Sequence, residues 1–277
     1  MKKATDILGI ISSRKAAGEP FVLATVVRTV AATSAKAGAK AVILPDGTIS
    51  EGWIGGGCAR AAVLKAASDA LADGRSRLVS VEPPHQLDKH GHNVGEEQGA
   101  VRFAKNMCPS QGTMDIFVEP VLPRAQVVIC GSSPVAVAVA DLARRMGFAV
   151  TACAPPADQA AFDDVDRRIE GYALPVKEAG ERYVVVSTQG RGDEAALLAA
   201  CAVNAEYVAF VGSRKKADAL RTKLAERGVS AKRLAKLKAP AGLDLGAITP
   251  DEIAISILAE IVAVRRGKHS RRAAPAA

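Results

Sequence analysis

Four runs, QVVIC (126–130), FAVTAC (148–153), RYVVVS (182–187) and EYVAFVG (206–212), are almost wholly apolar and show no in–out alternation. A strand with one wet face alternates, whereas one covered on both faces does not. These runs therefore read as parallel strands sandwiched between helices. Helix-length segments separate them, the order of a Rossmann-like, doubly wound parallel sheet. ITPDEIAISILAEIVAVRRG closes this half as a helix, with Thr249 as N-cap, Pro250 at the first helical position, Glu252 completing a reciprocal cap and Gly267 at the end.

The pattern before this half is different. Pro120 and Pro123 punctuate a change from polar to apolar sequence, which places a boundary there. The expectation is an α/β protein with an N-terminal domain at 1–121, a C-terminal Rossmann-like domain at 122–266 and a basic disordered tail at 267–277. FVLATVVRTV and KAVILPDGTIS read as strands, the second turning at Asp46-Gly47. Val63, Ala66, Ala67, Ala70 and Leu71 recur at helical spacing, and Gly74 is placed to end that helix.

Directly before it stands EGWIGGGCAR, with the chain's single tryptophan, three successive glycines and Cys58. A helix N-terminus presents N–H groups without acceptors and partial positive charge, so Gly55, Gly56, Gly57 and Cys58 form a candidate cradle for an anion, with Cys58 as a nucleophile or soft-metal ligand. The Lys-Ser/Thr pair of a Walker A loop is missing, and a tight turn followed by a small packed cysteine is the alternative.

In the second half, VVICGSSPVAVAVADLARRMGF has the strand–turn–helix layout of a dinucleotide site, but only Gly131 of the glycine positions is glycine. Ser132 and Ser133 follow it, Ala136 takes the last glycine position, and Pro134 removes an N–H from the turn. FAVTACAPP ends without an acid for a ribose hydroxyl, which argues against NAD(P). Two further strand ends, with Gln189, Gly190 and Arg191 in one and Gly212, Ser213 and Arg214 in the other, are expected to face the same crevice as anion-binding groups. Lys215 and Lys216 read as a solvated basic face.

His85, His90 and His92 crowd into PPHQLDKHGHNVGEEQ, with Cys108 beyond, a donor set suited to zinc or copper although the spacing fits no familiar motif. The five cysteines form no CxxC pair, so a disulfide framework is not expected, and the chain reads as cytoplasmic. No run reaches membrane-span length. Of the net charge of +8, five positive charges fall at Arg265, Arg266, Lys268, Arg271 and Arg272, and only 4% of residues are aromatic, so nucleic acid is not the expected partner.

Taken in order, GWIGGGCAR, MCPSQGTMDIFVEP, VVICGSSPVAVAVADLARRMGF, VVVSTQGRGDEAAL, FVGSRKKADALRTKL and APAGLDLGAITPDEIAISILAEI resemble the XdhC/CoxI family of molybdenum-hydroxylase maturation factors, in wording nearest to the accessory proteins of aerobic carbon monoxide dehydrogenase. The resemblance implies an XdhC/CoxI domain followed by a Rossmann-like domain. It also implies binding of the molybdenum cofactor, whether as molybdopterin or its cytosine dinucleotide, and help with sulfuration and insertion into an apo molybdenum hydroxylase. A cysteine desulfurase and a homodimeric state are further implied partners. Gly55, Gly56, Gly57 and Cys58 match the family's glycine–cysteine motif, and Cys108 matches the cysteine before its Pro-Ser-x-Gly segment. Gln111 stands where many relatives have glycine, which leaves close backbone approach at 110–113 in question. An NAD(P)-dependent oxidoreductase is the alternative activity, and a scaffold docking two maturation proteins is a third reading.

Overall fold

The computed structural model describes residues 6–176 and 180–273, and the chain divides between Pro123 and Arg124 into two compact units. The first unit runs α1 (Ile7–Ala16), β1 (Phe21–Val30), β2 (Lys40–Ile43), β3 (Ile49–Gly52), α2 (Gly57–Asp73), β4 (Arg77–Glu82), α3 (Pro84–His90), β5 (Glu97–Gln98), β6 (Val101–Lys105) and β7 (Thr113–Val121). Its strands form one mixed sheet in the order β3-β2-β1-β7-β4-β6-β5. All neighbours pair antiparallel except β4 and β6. The turn at Asp46-Gly47 joins β2 to β3, with the Asp46 carboxylate accepting from the Thr48 N–H at 2.8 Å.

Helix α2 lays Ala59, Val63, Ala66, Ala67 and Ala70 on one face of this sheet, against Val22, Val26, Val79, Val81, Ile116 and Val118. Alanines let the helix approach closely, and each fully buried valine or isoleucine contributes roughly 1.5–3 kcal/mol of transfer free energy. Gly74 ends the helix in the left-handed region at φ 76°. Because strand side chains alternate, Ser80 and Glu82 point to the opposite face of β4 from Val79 and Val81. The stretch expected as a polar histidine loop is partly helical: α3 starts at Pro84, whose lost N–H costs nothing at that position.

The second unit continues with β8 (Gln126–Cys130), α4 (Pro134–Arg145), β9 (Ala149–Ala154), a 3-10 turn (Pro156–Ala161), β10 (Arg167–Glu170), β11 (Arg182–Val186), α5 (Asp193–Ala202), β12 (Tyr207–Phe210), α6 (Arg214–Glu226), α7 (Ala231–Leu234), β13 (Leu237–Lys238) and α8 (Pro250–Ala273). All six strands are parallel in the order β10-β9-β8-β11-β12-β13, the doubly wound Rossmann order with its switch point between β8 and β11. Helices α4 and α8 cover one face through Val139, Ala143, Ile257 and Ile261, and α5 and α6 cover the other through Leu197, Ala200, Leu220 and Leu224. Both faces of the four sequence-predicted strands are thus buried.

The reciprocal cap of α8 is present: the Glu252 carboxylate accepts from the Thr249 N–H at 2.9 Å, and the Glu252 N–H donates to Thr249 Oγ1 at 3.3 Å. The helix does not stop at Gly267, however, but continues to Ala273. A mid-helix glycine costs about 1 kcal/mol, which weakens a helix without ending it. The expected disordered tail at 267–277 is corrected accordingly, and its last four residues lie outside the described residues.

Candidate functional site

Cys58 is the second residue of α2, so the N–H groups of Gly57, Cys58 and Ala59 have no acceptor inside the helix. Gly55 sits at φ 116°, where an added Cβ would lie 2.9 Å from Met114 Cε and 3.1 Å from Ser34 Oγ; at Gly57 it would meet nothing within 4 Å. The first glycine is therefore required by packing, while the last leaves the helix start open. Ser34 fixes the loop by accepting from the Gly56 N–H at 3.0 Å through its hydroxyl, and its carbonyl accepts from Trp53 Nε1 at 3.4 Å. Trp53 thereby braces the glycine loop, although its ring is half exposed.

Cys108 approaches the same place from the β6–β7 connection. Asn106 holds that loop twice, accepting from the Cys108 N–H at 2.9 Å and donating to the Gly112 carbonyl at 2.6 Å. Cys58 and Cys108, fifty residues apart, line one pocket together with Thr33, Ser34, Asn106 and Met114. Its volume of about 50 Å³ admits a small inorganic group, since one water takes about 30 Å³ in the liquid. It cannot enclose a pterin ring system. Both cysteines are free, Cys58 half-buried and Cys108 exposed.

Gln111 adopts the left-handed φ of 50° that glycine would take without strain, and its side-chain oxygen lies 3.2 Å from His85 Nδ1. Close backbone approach does occur beside it: a Cβ at Gly112 would lie 2.3 Å from the Ala32 carbonyl oxygen. The grouping of all three histidines with Cys108 is corrected, because His85 is engaged by Gln111, Cys108 lines a pocket with Cys58, and His90 and His92 gather instead around Glu82.

The other three cysteines are structural in character. Cys130 and Cys153 are adjacent across β8 and β9 and fully buried; the hydrogen bond of the Cys130 thiol to Cys153 and burial push that thiol well above its usual range. Burial likewise raises Cys201.

At the switch point of the second unit, Gly131 has φ 107°, and an added Cβ would sit 2.3 Å from the Ser187 carbonyl oxygen. Ser133 caps α4 by accepting from the Ala136 N–H, and its hydroxyl lies 2.6 Å from that of Ser187. Ser132 donates to Asp158 at 2.8 Å, and Arg191 lies 3.4 Å from both. An acid does follow β9 after all, displaced onto the 3-10 turn, where Ser132 and Arg191 occupy it. Gln189, at φ 49°, and Gly190 lead into α5, where the Gly190 N–H donates to Asp193 at 3.1 Å and Lys216 pairs with that carboxylate at 2.5 Å. Burial opposes ionisation of Asp193, but Lys216, the Thr188 hydroxyl and the Gly190 N–H together hold it below the usual carboxylate range. Lys216, expected on a solvated face, is a partner of this buried acid.

The three strand ends neighbour one another, with Arg191 beside Ser132 and Lys216 against Asp193, and two hollows open near them. Gly212 and Arg214 line a hollow of about 510 Å³ with Pro240 to Ala247, whereas Ser132 lines another of about 660 Å³ bordered by Asp141, Asp163, Asp164 and Asp251. Ser213 is used as the N-cap of α6. Glu82, Asp158 and Asp193 escaped the sequence reading because their partners come from other segments of the chain; only the isolation of Glu82 at the end of the apolar RLVSV run was a usable signal.

These features define a two-unit α/β protein with two free cysteines lining one pocket of the first unit and a Rossmann-like second unit. Residues 127–261 match the XdhC Rossmann domain, and residues 15–82 match the XdhC and CoxI family. The chain belongs to the XdhC and CoxI family. It is 27% identical over 259 residues to YqeB of Escherichia coli K12, covering 89% of this chain and 44% of that protein. It is also 27% identical over 166 residues to a Bacillus subtilis 168 protein whose name describes a probable subunit of xanthine dehydrogenase, covering 56% of this chain and 47% of the other. The chain spans less than half the length of these curated relatives. A solved Bacillus halodurans structure, titled a xanthine dehydrogenase, aligns at a TM-score of 0.45 and 18% identity, covering 94% of this chain and 96% of that one. Among the described residues, no helix is long and apolar enough to cross a membrane.

Proposed function

We propose that this protein is an accessory factor of a molybdenum hydroxylase that holds the molybdenum cofactor at the Cys58–Cys108 pocket and assists its sulfuration and delivery. The observation that carries this reading is the convergence of two free cysteines on one small pocket at an open helix N-terminus, in a member of the XdhC and CoxI family. The donor set fits the group: thiols suit a soft metal, and the first turn of α2 suits an anion. The cofactor supplies a soft metal–dithiolene unit and, through its phosphate or dinucleotide pyrophosphate, an anion. Cys58 and Cys108 act as soft ligands, the N–H groups of Gly57 and Cys58 orient the anionic part, and Asn106 keeps Cys108 at the pocket. The pocket volume confines this grip to a small part of the ligand, which suits a factor that must release its cargo.

The client class is a molybdenum hydroxylase such as xanthine dehydrogenase or carbon monoxide dehydrogenase, and the Bacillus subtilis relative's name supports the first of these. A cysteine desulfurase as sulfur source and a homodimeric state belong to the same proposal. A second reading, an NAD(P)-dependent oxidoreductase, draws on the strand order of the second unit. The test is mass spectrometry and pterin fluorescence of protein purified from molybdenum-replete cells. Molybdopterin in the parent, reduced about tenfold or more in Cys58→Ser and in Cys108→Ser, is the expected result. A nicotinamide nucleotide in its place would select the second reading, and neither ligand would leave a docking scaffold.

A further inference from the structure

The sheet of the first unit has a second face, and a separate donor cluster lies on it. Ser80 and Glu82 of β4 point away from α2. The Ser80 hydroxyl lies 2.9 Å from Glu82 Oε1 and 2.8 Å from Asp115 Oδ1, and Arg28 donates to the other oxygen of Asp115 at 2.5 Å. One oxygen of Glu82 is thus held in a network. The other, Oε2, is buried and has no hydrogen-bond partner, and the side chain as a whole is only 8% exposed. Leaving a carboxylate oxygen buried and unpaired is costly.

Two imidazoles are delivered to that oxygen. Helix α3 ends at His90, and Gly91 reverses the chain at φ 69°, with the His92 N–H donating to the Leu87 carbonyl at 2.9 Å. His92 then stacks on Phe103 of β6, with ring centroids 3.6 Å apart, and its Nδ1 is also buried without a partner. His90 stays half exposed with its Nδ1 3.6 Å from Glu82 Oε2. The ligand atoms offered by Glu82, His90 and His92 all lie within 4.8 Å of one another.

We infer that Glu82, His90 and His92 form a binding site for a divalent first-row transition ion of the zinc class, with its remaining coordination position open to solvent beside His90. Two imidazole nitrogens and one carboxylate oxygen are a donor set that zinc accepts with an open fourth position. The absence of a thiolate excludes preference for Cu(I). Ligand atoms around zinc sit roughly 3.4 Å apart at its usual bond lengths, so the His90–Glu82 separation is nearly right, and the cluster closes by a shift of about an ångström that the half-exposed His90 can make. Ser80, Asp115 and Arg28 orient the carboxylate from behind, as outer groups do in metal sites. The inference is independent of the cysteine pocket, which lies on the α2 side of the sheet, and of any molybdenum chemistry there.

The experiment uses the full chain carrying Cys58→Ser and Cys108→Ser, so that zinc on thiols does not contribute, after treatment with a chelator. Zinc is titrated by calorimetry and cobalt(II) by visible absorption. Stoichiometric zinc binding is expected, with a tetrahedral cobalt spectrum lacking thiolate charge transfer and an unfolding temperature that rises with zinc. His90→Ala and Glu82→Gln should each weaken zinc by about tenfold or more, while His85→Ala should not. If Glu82→Gln fails to fold, His90→Ala still decides, because that side chain is half exposed. Absence of zinc binding, or binding unchanged in His90→Ala, overturns the inference.

Discussion

Around the Rossmann turn, groups that would ordinarily meet a ligand are engaged by the chain itself: Ser133 by Ser187, Ser132 and Arg191 by Asp158, and Asp193 by Thr188 and Lys216. The mixed-sheet unit does the reverse. Its two thiols face a shared pocket, and Glu82 Oε2 and His92 Nδ1 are buried without partners. Unsatisfied donors and acceptors mark where a protein expects another molecule. Gln159 Oε1, on the 3-10 turn after β9, is an exception in the second unit, so the Rossmann turn is largely self-satisfied, and the proposed chemistry lies in the other unit.

The largest expected effect tests the self-satisfied side. Gly131→Ala would place a methyl carbon 2.3 Å from the Ser187 carbonyl oxygen at a φ of 107°, and overlap with backbone plus dihedral strain should cost about 3 kcal/mol or more. Gly57→Ala meets open space and should leave stability unchanged or raise it by up to ~1 kcal/mol, while filling part of the approach to the helix start. Urea denaturation of both variants measures this. Equal losses would erase the distinction between a glycine needed by packing and one that keeps an approach open.

Much of the second unit was legible because burial on both faces of a parallel strand demands unbroken runs of Val, Ile and Ala, and because Thr249 and Glu252 are spaced for a reciprocal cap. β10, with the sequence RRIE on the sheet edge, escaped since an edge strand needs no apolar run. In the first unit the hairpin at Asp46-Gly47 and the alanine face of α2 were readable from local pattern. The meeting of Cys58 with Cys108 was not, because pairing between strands distant in sequence brings them together; only the family resemblance linked them. The pairing of Lys216 with Asp193 likewise crosses from one helix start to the next, and no periodicity reports it.

That pair supplies the second prediction. Asp193→Asn removes a carboxylate with 8% side-chain exposure from Lys216, whose side chain is 42% exposed, so the loss should be about 1–3 kcal/mol, below that of a fully buried pair. The carboxylate is held below its usual range in the folded state. Its contribution is therefore complete above the unfolded-state value and fades as pH falls through the lower folded-state value. Parent and variant should differ most at neutral pH and converge in strong acid. A difference that grew with acidity would contradict the assigned ion pair and reopen the strand-end loop as a site with unsatisfied charge.

The smallest effect sets two glutamines side by side. Gln111 and Gln189 have φ values of 50° and 49°, so each bears the left-handed cost of roughly 1 kcal/mol that glycine would not. Replacing either with glycine relieves that cost but adds a comparable ~0.5–1 kcal/mol of unfolded-chain entropy. Both Gln111→Gly and Gln189→Gly should thus fall within about 1 kcal/mol of the parent. They differ in what else is lost. Gln111 also ties its loop to His85 through its side chain, a contact glycine lacks, while the backbone N–H bond to the Cys108 carbonyl at 3.1 Å is kept. Its replacement should loosen the loop carrying Cys108 and change the rate at which that thiol reacts with a disulfide reagent, measured in a Cys58→Ser background, even where stability does not move. An unchanged rate would show that Asn106 alone positions Cys108, and the tie from His85 to the pocket loop would then have no part in presenting the thiol.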